Sequence, residues 1–298
     1  MFCLTIAGAF AGISAAPTVE VIATASPSAA ERVEAAIAFE RGGSGRFDLV
    51  IGADGLHSTV RKLAFGPTQQ FEKDLGYIVT AFEVRSYRPR DEDVYLMYGQ
   101  PGRMVGRFTL RDDRTLFLFV FAVDGDPLPS TIDQQKAMLL EKYAACGWEC
   151  PSILAELGRA TELYFDRVSQ IRMSNWSKGR IALIGDAAFC VSLLAGQGSA
   201  LAMISAYVLA GELARAGARY QQAFENYETR LRPFVEMKQR GAERFAGALA
   251  PKTRWGLCFR NQVIRAFAVP RLAKLAIGRE IIDTLQLPEY DFRLFQHH

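Results

Sequence analysis

Histidine is scarce in this chain: the three present are His57 and the terminal pair His297 and His298. Cysteine offers no ligand set to compensate. The five thiols (Cys3, Cys146, Cys150, Cys190 and Cys258) are odd in number and scattered, and no second pair follows Cys146 and Cys150 at zinc spacing. These scarcities predict reduced thiols in a cytoplasmic setting and no structural metal. A strong charge of one sign is also missing. The formal net charge is +3, which gives no support to a nucleic-acid partner. Nor is there a long uninterrupted apolar run. No charged side chain precedes Glu20, but that stretch lacks a basic segment ahead of its apolar part, is rich in Ala and Gly, and is broken by Pro17. Its composition predicts a buried or poorly ordered N-terminus rather than a signal peptide or anchor. What remains is a chain of 298 residues, 50% hydrophobic and 22% charged, which suits a soluble globular protein of one or two domains.

Along the chain the pattern changes twice. The first thirty or so residues lack strong periodicity, Gly42-Gly43-Ser44-Gly45 reads as a flexible turn, and Phe47–Gly52 (FDLVIG) reads as a buried strand. Then β-branched and aromatic residues dominate Gly76–Arg88, Asp93–Tyr98, Arg103–Arg111 and Arg114–Val123. Turns at Gln100-Pro101-Gly102 and Asp112-Asp113 separate these runs. That predicts an antiparallel sheet of about four strands. A helix is predicted over Thr131–Cys146 with Thr131 as its cap, a short one over Ser152–Leu157, and a strand over Leu163–Met173 returning to the first sheet. After Gly211 the spacing is helical, with Pro233 as a kink or a helix start. Residues 251–280 set Lys252, Arg254, Arg260, Arg265, Arg271, Lys274 and Arg279 against one acid, Glu280. A helical layer with a solvated basic face is the expectation there, and a membrane-surface or anionic-partner helix is the competing one.

Two stretches carry chemistry. Asp48–Arg61 reads DLVIGADGLHSTVR: a strand, then Asp54-Gly55, then Ser58 and Arg61 where a buried strand meets a turn. Ligands of open α/β sheets gather at such carboxyl ends, although Asp-Gly after a strand is by itself usually only a turn. The second stretch opens at Gly179 and reads GRIALIGDAAFCVSLLAGQGSALA. Here a buried strand delivers one carboxylate, Asp186, behind Gly185, and the turn Gly196-Gln197-Gly198 leads into an Ala-rich helix. The carboxylate can accept hydrogen bonds from sugar-like hydroxyls, and free N–H groups at the helix start can hold negative charge.

Taken together, the two stretches resemble the DG and GD motifs of the FAD-dependent aromatic hydroxylases of the para-hydroxybenzoate hydroxylase type, near the branch of tetracycline-inactivating monooxygenases. The resemblance covers roughly residues 32–250, with the predicted β-sheet standing where that family has its substrate domain. It implies an α/β fold. An incomplete FAD-binding, Rossmann-like domain would span 1–72 and 161–217, an antiparallel β-sheet substrate domain 73–160, and a C-terminal helical region 218–298. It implies that Asp186, behind Gly185, hydrogen-bonds the ribityl hydroxyls of FAD. Gly196, Gln197, Gly198, Ser199 and Ala200 would form the helix start facing the flavin pyrimidine edge. Asp54 and Gly55 would lie near the pyrophosphate. Since a carboxylate repels phosphate, Asp54 is expected to fix the turn or a water, and Arg61 is the nearer candidate for anion contact, or else a surface salt bridge. The implied activity is an NAD(P)H- and O2-dependent monooxygenase that hydroxylates an aromatic or polyketide-like small molecule. No catalytic acid or base is named, because the cofactor carries the chemistry. Substrate contacts would come from Tyr77–Arg85 and Tyr95–Phe108, aromatics that could equally be core.

Three departures from the family pattern stand out. Phe189 follows GDAA where His or Tyr is usual, and Val191 and Leu193 stand in a loop that often holds proline, so the loop is either looser or packed differently. Cys190 in that loop reads as a small buried hydrophobe more than as a redox group. At the start, Ala7 and Ala9 occupy the first two glycine places of a G-x-G-x-x-G loop, no proper strand is legible ahead of it, and Pro17 would shorten its helix. A truncated member is the expectation. The alternatives are a non-catalytic remnant with weak or no FAD binding and an FAD-dependent reductase.

Overall fold

The computed structural model describes residues 4–7, 19–22, 35–39, 42–88, 95–125, 127–267 and 285–291. It is a mixed α/β structure of two compact units: residues 1–73, 169–242 and 285–298 in one, and 74–168 and 243–284 in the other.

The first unit is organised by a four-stranded sheet. Its strands β1 (Leu4–Ala7), β5 (Leu49–Gly52) and β12 (Ile181–Leu183) run parallel in that order, and β11 (Ser177–Lys178) adds an antiparallel edge. All four residues of β5 are buried, which is why the run reads as continuously apolar. β1 corrects the expectation that no strand precedes the N-terminal loop: Leu4 pairs with Leu49 and Ala7 with Gly52. Four residues are too short to announce a strand, and pairing with the buried β5 supplies what the local pattern lacks. Residues 8–18, with the loop itself and Pro17, lie outside the described residues. A second sheet joins β2 (Val19–Ile22), β3 (Ala35–Phe39) and β4 (Ser44–Phe47), all antiparallel. The expected glycine turn is displaced: Gly42 and Gly43, both at φ +91, lie in the reversal between β3 and β4, but Ser44-Gly45 already belong to β4.

The second unit is built on a five-stranded antiparallel sheet in the order β10 (Tyr164–Ile171), β6 (Glu72–Arg85), β9 (Arg114–Ala122), β8 (Arg103–Thr109) and β7 (Tyr95–Gln100). The Asp112-Asp113 turn has both residues at positive φ (+59 and +55), the conformation that matches the twist of a tight hairpin. On one face Phe117, Phe119 and Phe121 alternate into a core with Ile78, Phe82 and Tyr87. Helices α2 (Ile132–Tyr143) and α3 (Cys150–Leu157) cover that face through Leu139, Tyr143, Ile153 and Leu157. Thr131 caps α2 in a full capping box with Gln134. The Tyr143 hydroxyl lies 2.8 and 3.0 Å from the carbonyl oxygens of Met104 and Val120, fastening α2 to the sheet. β10 corrects another expectation: it joins this sheet beside β6 rather than returning to the first.

The remaining helices are α1 (Thr59–Ala64), α4 (Asp186–Phe189), α5 (Gly198–Ala216), α6 (Tyr220–Leu249) and α7 (Arg254–Phe267). α6 runs through Pro233 without a break, so this proline does not start a helix. α7 exposes Trp255 and Phe259 at 86% and 73%, so its open surface is aromatic as well as basic. Among the described residues no helix is long and apolar enough to cross a membrane.

Candidate functional site

The site is assembled where β5 and β12 end side by side in the first unit. Beyond β5 the chain turns through Ala53, Asp54 and Gly55, the last at φ +79. Asp54 is a turn-fixing group in its geometry: its carboxylate accepts from the Ser58 hydroxyl at 2.5 Å and from the Val60 N–H at 3.0 Å. Ser58 in turn caps α1 by accepting from the Arg61 N–H at 2.9 Å. Arg61 is fully buried rather than at the surface. Its guanidinium donates to the carbonyl of Ala187 (2.9 Å) and to that of Leu56 (2.5 Å), so it joins the turn after β5 to the helix after β12, while its Nε has no partner. Burial lowers its pKa from the ordinary value, and the nearby Asp54 opposes that shift.

The turn after β12 is tighter. Gly185 sits at φ +57 and ψ −141, and a Cβ there would lie 3.0 Å from the Ala202 Cβ of α5. The Gly185 N–H donates to the Ser205 hydroxyl at 3.0 Å, and that hydroxyl donates to the Ala202 carbonyl at 2.8 Å. Only glycine lets the strand end and α5 approach this closely. Asp186 opens α4 and is half-buried. Burial raises its pKa above the ordinary carboxylate value, and a hydrogen bond from the Cys190 thiol opposes the rise. The same burial, with the Asp186 charge beside it, pushes the Cys190 thiol far up, so Cys190 is an inert thiol at neutral pH.

Gly196, left-handed at φ +65, closes a 3-10 turn, and Gln197 leads into α5 without any side-chain cap. No acidic residue stands in the first turn of α5. At Gly198 a Cβ would lie 3.7 Å from both carboxylate oxygens of Asp186, so the helix start and the carboxylate face each other. Between them is a cleft of about 190 Å³ lined by Ala53, Gly55, Ile184, Gly185, Asp186, Gly198, Ser199 and Ala202. Five of the residues singled out from the sequence thus share one lining. Asp54 and Arg61 stand behind it, and Gly196, Gln197 and Ala200 flank it. An uncapped helix start opposite a half-buried carboxylate can hold a ligand that carries hydroxyls on one side and a negative edge on the other.

Residues 19–241 match the family described as FAD binding domain. The chain belongs to the FAD binding domain family. It is 42% identical over 205 residues to an uncharacterized protein of Mycobacterium tuberculosis, a match that covers 68% of this chain and 55% of that relative. It is 34% identical over 258 residues to a flavin-dependent monooxygenase from an unknown prokaryotic organism, covering 86% of this chain and 64% of the relative. Among solved structures, the tetracycline destructase Tet(51) superposes with a TM-score of 0.76 at 28% identity, covering 92% of this chain and 70% of that one. The chain therefore spans between about half and two thirds of the length of these curated relatives. The cleft is lined by three glycines, Gly55, Gly185 and Gly198; side chains at Gly55 and Gly198 would narrow it, whereas one at Gly185 would meet Ala202 of α5.

In the second unit the aromatics of Tyr77–Arg85 and Tyr95–Phe108 divide between two faces. Phe82 is core, whereas Ala81, Leu116, Leu118 and Phe108 are half-buried on the opposite face, as the register Ala81↔Leu118, Gly106↔Leu118 and Phe108↔Leu116 requires. Tyr95 stacks on Phe108 with ring centroids 3.8 Å apart and lies over Gly106, where a Cβ would come within 2.6 Å of its hydroxyl. Four residues not singled out from the sequence hold the site's backbone: Ser205 at Gly185, Tyr227 through its hydroxyl on the Leu183 carbonyl at 3.0 Å, and Gln170 and Gln239 on the carbonyls of Phe189, Cys190 and Val191. Polar residues at helical core positions, as Ser205 and Gln239 are, were the available signal.

Proposed function

We propose that the chain is the flavin-holding portion of an FAD-dependent monooxygenase. The observation that carries this reading is the cleft in which Gly55, Gly185, Asp186, Gly198 and Ser199 converge beneath the uncapped start of α5. Asp186 accepts hydrogen bonds from the ribityl hydroxyls, and the first N–H groups of α5 face the pyrimidine edge, where a helix start favours negative charge. Gly55 keeps the turn after β5 open toward the pyrophosphate, and Asp54 and Arg61 hold that turn in shape rather than touch phosphate. When bound, FAD supplies the redox chemistry: NAD(P)H, a proton, O2 and the substrate R–H yield R–OH, NAD(P)+ and water. The substrate is an aromatic or polyketide-like small molecule. The half-buried apolar face around Ala81, Phe108, Leu116 and Leu118, with Tyr95 standing open beside it, suits a flat ring system.

The test is to purify the full chain, titrate FAD by absorbance and fluorescence, and follow NAD(P)H oxidation with and without candidate aromatic substrates. Bound flavin with substrate-stimulated oxidation and an oxygenated product is the expected result. Bound flavin and NAD(P)H oxidation without oxygen insertion would make it a reductase. A colourless protein that takes up no FAD at high micromolar concentration would end the cofactor reading for this chain.

A further inference from the structure

The loop after Asp186 has no proline to stiffen it, and Ser192 within it adopts φ +119, which an L residue rarely does. Its residues Phe189, Cys190, Val191 and Ser192 are nevertheless all buried. Two buried glutamines account for this. Gln239 of α6 is 3% exposed and points its Nε2 at three carbonyls: Ile171 at 2.8 Å, Cys190 at 3.3 Å and Phe189 at 3.4 Å. Gln170 of β10 is fully buried and donates its Nε2 to the Val191 carbonyl at 3.0 Å and to the backbone carbonyl of Gln239 at 2.8 Å. The Gln170 Oε1 accepts from the Arg172 guanidinium at 2.9 and 3.1 Å, which fixes which end of the amide donates. A backbone bond from Ile171 N–H to the Cys190 carbonyl, 3.0 Å, completes the set. Three successive carbonyls, those of Phe189, Cys190 and Val191, are thus held by donors from elsewhere in the fold.

Neither glutamine lines the cleft around Asp186. Their effect reaches it through the backbone. α4 is only four residues long and offers little rigidity of its own, and its last residue, Phe189, is the first of the held segment, so Asp186 stands at the other end of the same turn. We propose that Gln239 and Gln170 are positioning residues: they do by hydrogen bonding what a proline does by covalent restraint, fixing Phe189–Val191 and so the place of Asp186 and the approach to α5. The proposal rests on the FAD reading above for its functional consequence, while the anchoring itself is a property of the protein without ligand. Buried carbonyls stripped of their donors lose both the bond and their satisfaction, so the segment opens when the amide is removed.

The experiment compares the full-length wild type with Gln239→Met, which keeps the length of the side chain and removes its donors. In the FAD-free proteins, amide hydrogen exchange over residues 188–198 is expected to quicken by about tenfold, with exchange in β5 unchanged. FAD should then bind about tenfold more weakly to the variant, and the visible absorption band of the bound flavin should shift or lose its fine structure. Gln170→Met, which frees the carbonyls of Val191 and Gln239 and leaves the Arg172 guanidinium without its Oε1 acceptor, should quicken exchange over the same segment, and it carries the test if Gln239→Met does not fold. Exchange that is unchanged, or raised uniformly through the unit, overturns the anchoring. Wild type that binds FAD while Gln239→Met binds it equally well, with the same spectrum, overturns the positioning role and leaves the flavin reading standing. Wild type that takes up no FAD ends the flavin reading and the positioning role with it.

Discussion

Replacing Gly185 by alanine should damage the protein for two separable reasons. The backbone at φ +57 and ψ −141 is one that only glycine visits readily, and holding alanine there costs about 1–3 kcal/mol. The new methyl would also sit 3.0 Å from the Ala202 Cβ in packed interior, and forcing an extra methyl into such a place costs about 1–3 kcal/mol more. Gly196 is the natural control. It too has positive φ, at +65, but nothing lies within 4 Å of where its Cβ would be. Gly196→Ala therefore carries only the left-handed penalty of about 1–2 kcal/mol, part of it offset by the reduced freedom of the unfolded chain. Thermal unfolding of the FAD-free chains measures the difference. Gly185→Ala should lower Tm by roughly 5–20 °C at 2–4 °C per kcal/mol, and Gly196→Ala by a few degrees. Adding Ala202→Gly to Gly185→Ala should restore the packing share and leave the backbone share. If the two single variants melt together, or if Ala202→Gly restores nothing, then the close approach of β12 and α5 is not what glycine serves at position 185.

Two further variants probe the charged groups. Arg61→Met keeps the buried volume but leaves the carbonyls of Leu56 and Ala187 without their donor, so urea unfolding should show a loss of about 2–4 kcal/mol; a loss below about 1 kcal/mol would mean that the guanidinium does not hold the two turns together. Asp186→Asn should stabilise the FAD-free chain at pH 7 while weakening FAD binding. The sign follows from burial: a carboxyl whose pKa is raised in the folded state holds its proton more tightly there than when unfolded, so stability falls as pH rises from the ordinary carboxylate pKa through the raised one. The stability gap between variant and wild type should therefore be present at pH 7 and close in acid. A gap that widens in acid would contradict the raised pKa.

The parts of this fold that the sequence reveals are those set by neighbours in the chain. β5 shows in its apolar run, the β8–β9 hairpin in Asp112-Asp113, and the start of α2 in Thr131 and Gln134, because each is a local pattern with a local cause. Asp54, Gly55, Gly185 and Asp186 are legible for the same reason. What escapes is decided by partners far along the chain. β1 is a strand only because β5 accepts it, and the sheet that β10 joins is chosen by β6. Arg61 looks like a surface cation until its carbonyl acceptor at Ala187 is known. Gln239 looks like an ordinary polar residue on a long helix, yet its acceptors Phe189 and Cys190 belong to a loop before the helix begins. A buried glutamine and a solvated one are the same letter, and only tertiary structure tells them apart.

The pairing of β12 with β5 also sets an order of events during synthesis. Val50 and Ile51 are buried between two parallel neighbours, and the second of these, Ile181–Leu183, is made only after all five strands of the other sheet, β6 to β10, have been synthesised. Strands β6 to β9 with α2 and α3 are local to one another and can close as they emerge, whereas β5 waits with one edge open for on the order of ten seconds at ordinary rates of translation. An apolar strand with a bare edge is a template for pairing with other chains. The vulnerable interval in the life of this protein is therefore the time between the appearance of its first motif and its second, and slowing translation between Gly55 and Ile181 should raise the fraction that aggregates without altering the folded product.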